Sequence, residues 1–103
     1  MAKPKYDGVV EAVHYQSNGR VEWVMAYQRR GATFSDHLML SRQTLIDHLS
    51  AGKRYVVGRR LLYLGGTFEV SKPLRLLQKD GHKILVVGDL QVDQDRLEGV
   101  PVI

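Results

Sequence analysis

The sequence predicts a small, mostly β, barrel-like domain, α+β by content because it includes one short helix. Three observations carry that expectation. Residues 9–28 are rich in Val, Tyr and Trp and are interrupted by Asn18-Gly19, a strong hairpin signal. A second apolar pair of runs turns on Asp80-Gly81. Between the two lies a single amphipathic segment with a capping serine before it and a glycine after it.

The first hairpin follows from alternation. A type I′ turn at Asn18-Gly19 sets His14 opposite Trp23, Ala12 opposite Met25 and Val10 opposite Tyr27. One face then holds Val10, Ala12, His14, Val21, Trp23, Met25 and Tyr27; the other holds Val9, Glu11, Val13, Tyr15, Glu22, Val24, Ala26 and Gln28. The first is bulkier and less charged, and it is expected to face the core. After a turn at Arg29-Arg30-Gly31, "TFSDHLML" predicts a third strand. Ser41 suits an N-cap, Leu45, Ile46 and Leu49 form one helical stripe, and Gly52 suits the position past the end, so the helix spans about 42–51.

Next comes "KRYVVGRR", a strand, then short apolar runs "LLYL", "TFEV" and "LRLLQ", separated by Gly65-Gly66 and by Pro73. Pairing about Asp80-Gly81 puts Leu74, Leu76, Leu85 and Val87 on one face and Leu77, Ile84 and Val86 with Arg75 on the other. Both faces are apolar, more than a half-exposed hairpin requires. Either the hairpin lies centrally or a second copy covers it, so a homodimer through Leu74–Val87 and the apolar "VPVI" end is one expectation. A three-strand meander, a helix and further strands is the element order of an OB-like barrel, with an SH3-like barrel as the alternative.

Length and composition bound the function. A chain of 103 residues is expected to be one domain, 1–103. It has no Cys, which removes thiolate chemistry and Cys-based zinc sites and suits a cytoplasmic setting. No window is long and apolar enough for a membrane span. The net charge is +4, and its distribution is uneven. Residues 1–60 carry ten Lys or Arg against five acids, whereas residues 61–103 carry five against six.

Catalytic and metal patterns are weak. His14, His37, His48 and His82 have no chelating spacing, and "SDH" at 35–37 cannot form a triad from consecutive strand residues. Asp93-x-Asp95 lacks the glycine and the ligand pattern of a calcium loop. "YLGGTFEV" is not followed by Lys-Ser/Thr, so it reads as a bend. No pattern calls for a cofactor.

What remains is the basic stretch "GKRYVVGRRLLYLGG". A regular strand divides its cations between two faces: Lys53 and Arg59 on one, Arg54 and Arg60 on the other. A bulge at Gly58 would flip the alternation and bring Arg54 and Arg59 to one side. Together with Arg29 and Arg30, these cations suit the backbone of single-stranded DNA or RNA, for which Trp23, Tyr27 and Tyr55 are the candidate stacking platforms. The other reading makes them the solvated trim of a core strand.

Overall fold

The computed structural model describes residues 6–31, 33–35, 37–61 and 68–103. The chain forms β1 (Gly8–Tyr15), β2 (Val21–Arg30), β3 (Thr33–Phe34), β4 (Leu38–Ser41), α1 (Arg42–Ser50), β5 (Tyr55–Arg60), β6 (Phe68–Lys79) and β7 (His82–Val87). The strands run in the order β3-β2-β1-β5-β6-β7, with β4 also on β2, and curl into a half-barrel. Strand β5 lies parallel to β1, while the other pairs of named strands are antiparallel. The expected third strand is thus two short pieces, both on β2.

The first hairpin turns differently from expectation. Gln16 N–H donates to Arg20 O at 2.7 Å and Gly19 N–H to Gln16 O at 2.9 Å. Gly19 has φ +87° while Asn18 stays out of the left-handed region. This is a three-residue loop closed by a left-handed glycine, not a two-residue type I′ turn. It should displace every pair by one residue. Instead an extra residue, Glu22, sits between Val21 and Trp23, so Tyr15 pairs with Val21 but His14 still meets Trp23 and Ala12 meets Met25. A second extra residue, Glu11, moves Val10 from Tyr27 to Ala26.

Those two bulges decide which face is buried. A bulge places residues three apart on the same side, here Val10 with Val13 and Val21 with Val24. These four valines and Ala26 are wholly buried in the core. The expected core face is corrected in part: Val10, Ala12, Val21 and Tyr27 are buried as expected, but Trp23 and Met25 are only half-buried and lie on the outer face, where the Trp23 ring stacks on His14 at 4.9 Å.

The helix forms as its sequence dictates. Ser41 Oγ accepts from Thr44 N–H at 3.2 Å, Gly52 adopts φ +90°, and Leu45 and Ile46 enter the core. Strand β6 is longer than predicted, because "TFEV" and "LRLLQ" join through Pro73. Its partner changes there from β5 to β7, and a register irregularity beside Pro73 absorbs the missing N–H. "LLYL" and Gly65-Gly66 fall largely outside the described residues. The β6–β7 turn is the predicted one, with Asp80 at φ +51° and Gly81 at φ +80°, and Leu74 pairs with Val87 and Leu76 with Leu85. Leu74, Ile84, Leu85, Val86 and Val87 are all buried within one chain.

The segment after β7 folds back over the molecule. Arg96 bridges to Val86, and Val102 lies parallel to Val13. At its centre Asp95 is almost fully buried. Asp95 Oδ2 accepts from Val21 N–H at 2.9 Å and Arg42 Nε at 2.7 Å. Oδ1 accepts from Leu85 N–H at 3.0 Å and Arg42 Nη2 at 3.1 Å. Arg42 also donates to Lys83 O at 2.7 Å. Burial pushes the Asp95 carboxyl up, but the bonds from Arg42, Leu85 and Val21 and the Arg42 charge outweigh it and hold the group below its ordinary 3.8.

Asp95→Asn keeps the shape but leaves Arg42 in a mostly buried position without its counter-ion, and should cost on the order of 3–5 kcal/mol in chemical denaturation. A carboxyl whose folded pKa is depressed stabilises above its unfolded value and loses that contribution as pH falls through the folded one. Wild-type stability should therefore drop more steeply than that of Asp95→Asn below about pH 3.8. Parallel curves would show that Asp95 contributes nothing through its charge.

Candidate functional site

The six cations singled out in the sequence fall into two groups. Gly8 pairs with Gln28 on one side and Tyr55 on the other, so the end of β2 and the start of β5 flank the start of β1. Arg29, Arg30, Lys53 and Arg54 gather at this end. Asp7 joins two of them: its Oδ1 accepts from Arg29 Nη2 at 2.9 Å and its Oδ2 from Arg54 N–H at 2.9 Å. The Arg54 amide and the Arg29 side chain hold the Asp7 carboxyl below its usual range. Arg30, Lys53 and Arg54 have exposed side chains and no ion-pair partner among the described residues.

Arg59 and Arg60 lie at the other end of β5, about 16 Å along the strand at ~3.3 Å per residue. The bulge at Gly58 that would have brought Arg54 and Arg59 to one side is not found on β5. The register slips beside Gly58, but the extra residue lies on β6, since Val56 pairs with Pro73 and Gly58 with Val70. Strand β5 keeps its alternation, and Arg59 and Arg60 stay on opposite faces. They nevertheless share one place, because the sheet splits beside them. Strand β5 accompanies β1 only over Gly8–Val10; past the Glu11 bulge its place is taken by the tail at Val102.

The split leaves an open cleft of about 820 Å³, lined by Glu11, Tyr27, Arg59, Arg60, Ser71 and Pro101 among others. Glu11 is held at its mouth. Its Oε2 accepts from Arg60 N–H at 3.3 Å, and its Oε1 pairs with His37 Nε2 at 3.1 Å. Arg59 Nε meets Glu69 Oε1 at 3.2 Å, with both side chains exposed.

Beside the cleft runs a chain of rings. Tyr6 touches Phe34 (5.8 Å), Phe34 touches Phe68 (4.8 Å), Phe68 meets Tyr27 edge-on (5.0 Å), and Tyr27 stacks on His37 (4.9 Å). Both cation groups reach it through strand pairing: Arg29 is the partner of Phe34 and Arg60 of Phe68. Of the expected platforms, Tyr55 is excluded. It is buried, with its hydroxyl 2.7 Å from His48 Nδ1 and accepting from Gln28 Nε2 at 3.4 Å. Burial raises the Tyr55 pKa and, with the nearby Lys53 charge, lowers that of His48. Tyr27 is the buried floor of the ring chain, and Trp23 lies on the same outer face against His14.

The sequence reading missed Phe34, Phe68, Glu11 and His37 as one assembly. Some signal existed: the chain has only two phenylalanines, and Glu11 is a lone charge within an apolar run. What joins them is the β2–β3–β4 connection and the β5–β6 pairing, neither of which leaves a motif. Comparison with protein-family models, with curated proteins and with solved structures gives no match.

Gly58 is the tightest backbone position in the cleft wall. A Cβ there would lie 2.6 Å from Glu69 O and 2.9 Å from Val9 Cγ1, so the β5–β6 ladder would have to shift. Gly58→Ala should destabilise by about 1–3 kcal/mol, as overpacking does, measured by urea unfolding. An unchanged midpoint would show that the wall is not closely packed.

Proposed function

We propose that this protein binds single-stranded nucleic acid, DNA or RNA, across the ring-bearing outer face of its half-barrel. The observation that carries this reading is the ring chain flanked by arginines, with Arg29 paired to Phe34 and Arg60 to Phe68. Single strands are held by cations that track the phosphates and by aromatic faces that stack the bases. Phe34, Phe68 and His37 supply the accessible stacking surface, and Arg59 and Arg60 line the adjoining cleft. The rim of Arg29, Arg30, Lys53 and Arg54 extends the basic path. Arg59 is engaged with Glu69, but an exposed pair is worth little and exchanges readily for a phosphate. An OB-like use of the sheet face and a cytoplasmic setting accompany this reading.

If three or four cations neutralise phosphates, log K should fall against log salt with a slope of roughly −2 to −3. Arg59→Ala with Arg60→Ala should flatten that slope by about one unit. Phe68→Ala should weaken binding by roughly fivefold or more while leaving the slope unchanged, because a stacked base carries no counter-ion. Absence of binding to labelled oligonucleotides at low salt would overturn the reading.

A second reading, self-association, draws on the apolar side chains left in solvent. Met39 is 65% exposed, Val102 66% and Ile103 57%. The hairpin Leu74–Val87 buries most of its own apolar groups, so the interface on this reading centres on the C-terminus and Met39. Light scattering at high micromolar concentration should then give a dimer mass that falls to the monomer with Met39→Lys and Ile103→Lys combined. A monomer throughout would remove this reading.

A further inference from the structure

We propose that the cleft at the sheet split reads guanine, a specificity that rests on the single-strand reading above. The group that reads the base is Glu11. A carboxylate has about four lone-pair sites on its two oxygens. One on Oε2 is taken by the Arg60 amide, and Oε1 lies 3.1 Å from His37 Nε2; among the described residues this leaves at least one on each oxygen. Two acceptors side by side complement two donors side by side. Among the nucleobases, guanine alone offers that pair on its Watson–Crick edge, N1–H next to the N2 amino group. Adenine and cytosine set a single amino donor beside a ring-nitrogen acceptor, and thymine or uracil sets one N–H between two carbonyls. Each of those brings an acceptor against the carboxylate.

The surroundings match the same ligand. Glu11 lines a cleft of about 820 Å³, ample for one base splayed out of a strand. Tyr27 lines the cleft, and His37 stacks on its ring. Arg59 and Arg60 line the same cleft, where a phosphate attached to that base can reach them. Recognition of single strands generally works this way, by stacking plus hydrogen bonds to the exposed base edge.

The test uses the intact protein and fluorescein-labelled nonamers of thymidine whose central base is guanine, adenine, cytosine or hypoxanthine. Hypoxanthine is guanine without the N2 amino group. The guanine strand should bind roughly fivefold or more tighter than the adenine and cytosine strands, as one bidentate pair to a base implies, and hypoxanthine should forfeit much of that advantage. Glu11→Gln, which turns one acceptor into a donor, should bring the guanine strand down to the adenine level. Equal affinity of wild type for guanine, adenine and cytosine strands would overturn guanine reading while leaving single-strand binding in place. So would a hypoxanthine strand as tight as the guanine strand, whether or not the Glu11 variant folds. Failure of every strand to bind at low salt would instead remove the single-strand reading itself.

Discussion

Four parts of this molecule meet at one carboxylate. Asp95 takes main-chain hydrogens from the first hairpin at Val21 and from β7 at Leu85, and a two-pronged contact from Arg42 at the head of the helix. A half-barrel has no closing strand to join its two margins, so β2 with β3 and β4 on one side and β7 on the other would be free to separate. Asp95 joins them through the returning tail. All its lone pairs are used, which is the condition under which a buried charge is tolerated. The acidic stretch of the tail therefore has a structural task, quite apart from any partner.

How much of this was legible depended on whether the determinant was local. Ser41 and Gly52 bound a helix because a cap and a left-handed glycine act within one turn, and the Asp80-Gly81 pair fixed its hairpin for the same reason. The first hairpin shows the opposite case. Its pairs His14–Trp23 and Ala12–Met25 agree with expectation because a one-residue turn difference and the Glu22 bulge cancel. Its buried face agrees only in part: Val10 and Val21 are buried as expected, but the bulges bring Val13 and Val24 beside them, and the bulk of Trp23 argued for the wrong side.

The candidate site was legible in its cations and not in their arrangement. Periodicity correctly kept Arg59 and Arg60 on opposite faces, but it could not show that the sheet opens beside them. Nor could it show that Asp7 would gather Arg29 and Arg54 from strands separated by β1. The rings came together across the sheet: the short connections pair Arg29 with Phe34 and Arg60 with Phe68, but Phe68 meets Phe34 and Tyr27 from a distant segment. Such contacts depend on where strands end, which local propensity defines poorly.

The parallel contact of Val102 with Val13 also bears on how the chain is made. Strand β1 is made well before the contact that completes its edge, which comes from residues nearly ninety positions later, as in the bond from His14 Nδ1 to the Ile103 main-chain oxygen. During synthesis that edge stands open, a template for unwanted pairing with other chains. Contacts this distant also slow folding, because the long loop must close before they can reward it. Glu11 and Glu22, which make the bulges, place a charge within the apolar runs of β1 and β2. In the nascent chain they interrupt the flat hydrophobic ribbon that would otherwise aggregate, so the residues that shape the finished sheet also guard the unfinished one.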